Sequence, residues 1–486
     1  MKRLYILVTA IFCFSILYGQ NKNDEFNCST IIVGRKASYS GSVIVSHNED
    51  DDGDQIVNFY KSPSRNYSSS DFITLKEGAK VPRTAHSFGF FWMEMPGQDF
   101  SDSYINEKGV LITSNSTPSR ELFGEITDGG IGYELRKIVA ERAQSARQGV
   151  ELAGTLIEKF GYNGSGRTYI IADRDEAWMI SIVRGKHWIA KKVPDDEVAY
   201  IPNYYTIGEA DFKDTSDIIA SKDIVEYAIK RGWYKPERDG KFNFRTVYSS
   251  ENNLTTIDNI GRMWVGVSML SGKKLKTEDE FPFSFKPPHK ITLDDIILVQ
   301  NNHYEGTYLD DSKGYTKGTP HNNKAQDICQ SGQQLSFIVE FRKNIPWDIG
   351  GRIWIAPRRG CVNAYMPFYY GITEIPKSLT MDTPEKAFEM HFKRTKAIYN
   401  RVDSMSWWSF VAVAEYVDAD FINRYPLRKI QKEELQRLYF NQADQFEKDF
   451  LNVFNKDQER ARKMINEFEN IILEKALSDN KSFLSK

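Results

Sequence analysis

An α+β fold, with antiparallel sheets carrying helices on their outer faces, is what the order of elements predicts: strand-like runs, then a helical stretch, then strands again. Two further observations set its extent. The chain has 486 residues, more than the roughly 250–300 at which one hydrophobic core stops growing. Beyond Thr383 it turns helical, so one large domain over residues 28–383 and an attached helical region over 384–486 are expected. The hydrophobic content of 41% is ordinary for a chain that packs such a core in water.

The elements follow in order. Lys2 and Arg3, an apolar run over residues 4–17 and small or polar residues around Gly19 and Gln20 read as a signal peptide over 1–20, so export to the periplasm or the medium is expected. The apolar run is shorter than the roughly 20 residues a membrane span needs. Neither Phe12 nor Asn27 is the small residue that a lipoprotein signal places before its cysteine. Residues 21–27, NKNDEFN, are polar and aperiodic and read as a propeptide. Short β-branched or aromatic runs at 31–33, 43–46, 88–93 and 110–114 predict strands. Residues 131–160 carry Leu135, Ile138, Val139, Leu152, Leu156 and Ile157 at helical spacing, with Gly161 as a stop. Strands resume at 169–173, 177–183, 188–193 and 199–202. A helix is expected over 218–230, strands near 263–269, a helix near 293–301 and strands at 337–341 and 352–356. Residues 310–334, rich in Gly, Asn, Asp, Lys and Ser, read as a long surface loop. Residues 431–477 space apolar residues by three and four without a sustained heptad, which predicts packing rather than a coiled-coil interface.

Charge and cysteine usage exclude several functions. Sixty-four basic and 66 acidic residues leave a net charge of −2, which offers no electrostatic case for nucleic acid or an anionic membrane. The expected partners are small peptides and, in a homo-oligomer, further copies of the chain. Of four cysteines, Cys13 lies in the leader, which leaves Cys28, Cys329 and Cys361. A Cys329–Cys361 disulfide and two buried free thiols are both compatible with that count. Seven histidines form no HExxH and no cysteines are paired at zinc-finger spacing, so neither a metal nor a cofactor is expected. The acidic run at residues 49–54 lacks calcium-loop spacing and beyond Asp50 reads as a solvated turn. GYNGSGR at 161–167 lacks the lysine of a phosphate loop.

Cys28 is the candidate nucleophile. Processing after residue 27 would make it N-terminal, and an α-amine with a pKa of about 8, against about 10.4 for lysine, can accept the thiol proton without a histidine. The stretch CSTIIVGRKAS followed by GSVIVSHNED resembles the opening of PepD-type dipeptidases, cysteine Ntn-hydrolases related to bile-salt hydrolases and penicillin V acylases. Further blocks in the same order extend the resemblance to about Trp408: residues 161–209, GRMWVGVSMLS from Gly261, FPFSFKPPHKITLDD from Phe281, HYEGTYLD from His303 and MPFYYG from Met366. The resemblance implies an αββα four-layer sandwich, self-removal of the propeptide and two-step acyl transfer through a thioester. It implies that Asp50 orients the α-amine of Cys28, and it sets His47 where the bile-salt hydrolases have an arginine, able to donate to the thiolate if protonated. Asn203 matches an oxyanion asparagine, Arg262 a late active-site arginine, and Asn115 lies near a second oxyanion asparagine, with Ser116 competing for that place. Catalytic residues are therefore expected at Cys28, Asp50, Asn203 and Arg262, and substrate-binding residues at His47 and Asn115. Plain structural readings stand beside these: His47 satisfied at a strand end, and Asn203 forming a turn after Pro202. Hydrolysis of dipeptides is the expected activity; acyl-amide hydrolysis, or a silent binding protein on the same scaffold, is the alternative. A papain-like arrangement is disfavoured because Cys28 follows the leader too closely for a helix-borne nucleophile.

Overall fold

The computed structural model describes residues 28–51, 53–68, 71–213 and 215–485. The expected signal peptide and propeptide lie outside the described residues. Two antiparallel sheets organise the chain. A six-stranded sheet runs in the order Val198–Ile201, Ser29–Val33, Val43–Asp50, Gln333–Phe341, Gly351–Pro357 and Met366–Tyr369. An eight-stranded sheet runs Ile218–Ala220, Trp188–Lys192, Ala177–Gly185, Tyr162–Ala172, Leu111–Ser116, Ser103–Asn106, Phe90–Glu94 and Asn58–Ser62.

The strand Tyr162–Ala172 shows how the layers stack. Side chains alternate across a strand, and here Ile170 and Ala172 join the core that also holds Ile32, Val45 and Phe337 of the other sheet. Tyr169 and Ile171 join a second core with Leu135, Val139, Val150 and Ile157 of the helices Glu134–Arg142 and Ala146–Phe160. Phe59 and Phe368 stack across the sheets with centroids 6.1 Å apart. The outer face of the six-stranded sheet is covered by the helices Ile257–Ser271 and Leu293–Gln300 and by the C-terminal helices Trp407–Ala419, Phe421–Phe454 and Gln458–Leu484. The result is an αββα sandwich.

Several elements differ from the sequence reading. The helical stretch is two helices, because Ala143 turns extended and Ser145 caps a second start by accepting from Gln148 N. Gly161 ends it at φ +78, a conformation that glycine adopts without a Cβ clash. Residues 263–269, expected as strands, lie in the helix Ile257–Ser271. A short apolar run of seven residues, buried except for the partly exposed Trp264, Ser268 and Met269, is too brief for its period to separate strand from helix. Tertiary packing decides it here: a Cβ on Gly266 would stand 2.7 Å from the Tyr200 ring, so glycine lets the helix lie against the sheet. The span 218–230 divides into the strand Ile218–Ala220 and the helix Ile224–Lys230. The expected surface loop at 310–334 buries His321, Asp327, Ile328, Cys329 and Gln330, because it packs under the C-terminal helices. Those helices also close hydrogen bonds on the edge strand: Tyr365 N donates to Gln436 Oε1 and Tyr369 N to Glu469 Oε1, each at 2.7 Å.

Candidate active site

Cys28 immediately precedes the strand Ser29–Val33. That strand pairs with Val43–Asp50 in the register Ser29 opposite Asn48 and Thr30 opposite His47, which sets Cys28 opposite Glu49. The two-residue period turns Cys28, Thr30, His47 and Glu49 to one face, toward Asn115 of the eight-stranded sheet. The thiol donates to Glu49 Oε1 at 3.0 Å. Glu49 Oε2 lies 3.1 Å from His47 Nε2, and His47 Nδ1 lies 2.7 Å from Thr30 Oγ1. Thr30 donates to Asn115 Oδ1 at 2.6 Å, so its hydroxyl is left to accept from His47 Nδ1–H. With Nδ1 protonated, the contact between His47 Nε2 and Glu49 needs a proton of its own. Thiol, carboxylate and imidazole thus form one hydrogen-bonded chain at 0–1% exposure.

The backbone of Cys28 is clamped as tightly. Its carbonyl accepts from Asn115 Nδ2 and from Arg262 NH1, each at 3.0 Å. The Asn115 amide also reaches the carbonyls of Ile201 and Pro202. Arg262 NH2 donates to Asn203 Oδ1 at 2.9 Å and to Asn259 Oδ1 at 2.8 Å, while Asn203 Nδ2 donates to Ser116 O at 2.9 Å.

Electrostatics in this pocket oppose ionisation. Burial, then the negative charges of Glu49 and Asp50, pushes the Cys28 thiol well up. Burial likewise pushes the Asp50 carboxyl well up, against the opposing pull of Gln330 and Arg262. Both Asp50 oxygens are buried without a hydrogen bond of good geometry, which is unusual enough in a folded protein to call for a reason. Gln334 is an extra residue in the partner strand opposite the step from Glu49 to Asp50, and such a bulge re-aims neighbouring side chains.

All six sequence-identified residues therefore gather around Cys28, with two changes of part. His47 bonds to Glu49 rather than to the thiol, because Glu49 stands directly opposite Cys28 and comes between them. The nitrogens of His47 and the amide of Asn115 are occupied by protein partners, so in this form they hold Cys28 and the strand that follows it rather than a substrate. Ser116 contributes its carbonyl to Asn203. Sequence reasoning missed Glu49, Thr30 and Asn259. Glu49 was legible from strand alternation through His47, but the acidic run that follows made it read as the start of a solvated turn; its exposure is 1%. Cys28, His47 and Glu49 also bring potential metal-ligand atoms within 4.8 Å of one another, atoms their mutual hydrogen bonds already use. Chemically, the arrangement offers a thiol held by a hydrogen bond to a carboxylate and, beside it, a buried carboxyl whose oxygens have no hydrogen bond of good geometry.

Among the described residues no helix is long and apolar enough to cross a membrane. The sequence profile of Peptidase family C69 matches residues 27–420. The chain is 28% identical over 401 residues to "Probable dipeptidase A" of Streptococcus pyogenes serotype M1, covering 78% of this chain and 82% of that one. It is 25% identical over 467 residues to "Dipeptidase" of Bifidobacterium longum (strain NCC 2705), covering 86% and 85%. Among solved structures, penicillin V acylase from Agrobacterium tumefaciens aligns at 10% identity and a TM-score of 0.35, covering 70% of this chain and 86% of that one, a likeness too slight to bear on function.

Proposed function

The chain belongs to peptidase family C69 and is a peptide-bond hydrolase, and from that premise we propose that Cys28, freed as a new N-terminus, hydrolyses dipeptides outside the cytoplasm by two-step acyl transfer. The dipeptide substrate class is taken from the names of its relatives. The observation that supports the mechanism is the buried Asp50 carboxyl, held high by burial against the pull of Gln330 and Arg262 and without a hydrogen bond of good geometry, beside a cysteine whose carbonyl is clamped by Asn115 and Arg262. Cleavage between residues 27 and 28 creates an α-ammonium at Cys28, the one cation that maturation itself supplies there. Its positive charge next to Asp50 offsets the burial penalty on that carboxylate and lowers the thiol.

In the first step the α-amine, in its neutral form, takes the thiol proton and becomes the ammonium that faces Asp50, and the sulfur attacks the substrate carbonyl. The C–N bond breaks, the proton leaves with the amine product, and a thioester remains on Cys28. In the second step water, deprotonated by the same α-amine, attacks the thioester carbonyl; the acyl group departs as a carboxylic acid and the thiol is restored. Asn203, held by Arg262, is the amide proposed to steady the oxyanion once substrate takes the place of its Ser116 contact. Glu49 and His47 hold the protonated thiol in position before its proton is transferred.

The test is N-terminal sequencing and intact mass of the protein from the exported fraction, beside a Cys28→Ala variant. Wild-type protein is expected to begin at Cys28 and to cleave dipeptides. The variant is expected to fold, to retain residues 21–27 and to be inactive. Dipeptide hydrolysis by Cys28→Ala would end the proposal.

A further inference from the structure

Far from Cys28 in sequence, two histidines and two cysteines converge that the peptidase mechanism does not use. His303 and His321 lie in the long connection after the helix Leu293–Gln300, Cys329 lies near its end, and Cys361 follows the strand Gly351–Pro357. All four are buried, and their donor atoms all lie within 4.8 Å of one another. His303 Nε2 and His321 Nε2 are 3.1 Å apart, and Cys361 Sγ is 3.5 Å from His321 Nε2. Tetrahedral zinc with Zn–N of about 2.0–2.1 Å and Zn–S of about 2.3 Å places its ligand atoms about 3.3–3.8 Å apart. Both cysteines are free thiols, not a disulfide.

The hydrogen bonding of the cluster is compatible with a cation at its centre. His303 Nδ1 lies 2.8 Å from Glu305 Oε1, and His321 Nδ1 lies 2.8 Å from Asp418 Oδ1. With both outer nitrogens facing carboxylates, the two Nε2 atoms meet at 3.1 Å, where either one shared proton or a cation can sit between them. Carboxylates on the far side of ligating histidines are the recurrent outer shell of zinc sites. Arg359 pairs with Asp418 behind His321, and Phe421 closes the cluster with ring contacts to both histidines. Two thiolates with two imidazoles suit zinc, and four protein ligands in a dry pocket leave no position for substrate or water.

We propose that His303, His321, Cys329 and Cys361 bind one structural zinc ion. This departs from the expectation that no metal is bound: the four residues are spread over 303–361 without the paired spacing that marks a zinc motif, and only folding collects them. The ion joins the connection over 303–329, the turn at Cys361 and the C-terminal helices. It also stiffens the floor of the nucleophile strands. Asn48 donates to Gln300 O and to Ile328 O, backbone groups one to three residues from the ligands His303 and Cys329.

Full-length protein purified without chelators is expected to hold about one zinc per chain by elemental analysis, and Cys361→Ser to hold less than a tenth of that. Replacement by cobalt in wild-type protein is expected to give the visible absorption of a tetrahedral thiolate-ligated ion, a readout that needs no variant and no peptidase activity. Removal of the metal with a strong chelator is expected to lower the thermal midpoint. The proposal is overturned if wild-type protein refolded with excess zinc still binds none, if peptide mapping finds a Cys329–Cys361 disulfide, or if soluble Cys361→Ser keeps its zinc. A six-coordinate cobalt spectrum would overturn it as well.

Discussion

Asp50 and Glu340 are both buried carboxyls on paired strands of the six-stranded sheet, at opposite ends of the same ladder, yet their acidities move in opposite directions. Burial pushes both up. At Glu340 the Arg352 guanidinium, 2.7 Å from Oε2, outweighs it, and with the Trp354 indole at 3.0 Å brings the carboxyl down to about 2. Tyr39 occupies the other oxygen at 2.8 Å. At Asp50 no comparable partner is in place and the carboxyl stays high. The same residue class in the same sheet thus holds its charge where a cation matches it and resists ionisation where none does.

Substitutions can break this comparison. The largest effect on stability is expected from Glu340→Gln, which strands the buried Arg352 charge and should cost about 3–5 kcal/mol in urea unfolding, with activity per folded molecule unchanged. Asp50→Asn should do the reverse. Maturation and kcat/KM should fall by about 100-fold or more, equivalent to about 2.7 kcal/mol in the barrier. In a Cys28→Ala background, where the chain stays unprocessed, the same change should leave stability equal or higher, because it removes a buried carboxyl that lacks a partner. Loss of stability there would mean that Asp50 is already paired in the precursor.

pH sharpens the contrast through its sign. The Glu340 carboxyl, lowered on folding, contributes stability that is full above its ordinary value of 4.5 and is lost as pH falls through about 2. The Asp50 carboxyl, raised on folding, keeps its proton longer in the folded chain than in the unfolded one. Its contribution therefore falls as pH rises above its ordinary value of 3.8. Urea midpoints against pH in the Cys28→Ala form should flatten on the acid side with Glu340→Gln and toward neutrality with Asp50→Asn. The smallest effect is expected from Thr30→Val, which removes the hydroxyl between His47 and Asn115 at a cost of about 1 kcal/mol. Its activity should fall less than that of Asp50→Asn, since the thiol keeps its bond to Glu49.

By itself the sequence determined most strands and the order of strands and helices, because these rest on short-range signals, the alternation in residues 43–46 and the helical spacing around Leu152 and Leu156, while the block that opens at Cys28 carried the resemblance that implied the αββα class and the candidate nucleophile. It also carried the residues that surround Cys28. Tertiary structure alone decided their parts. Register placed Glu49 between the thiol and His47, and the helix that contains residues 263–269 lies close on Tyr200 of the sheet through Gly266. The folding of a polar connection beneath the C-terminal helices brought His303, His321, Cys329 and Cys361 together. The common reason is range: dihedral preference and periodicity are written within a few residues, whereas the partner that satisfies or strands a buried charge comes from a distant part of the chain and is fixed only when the layers close.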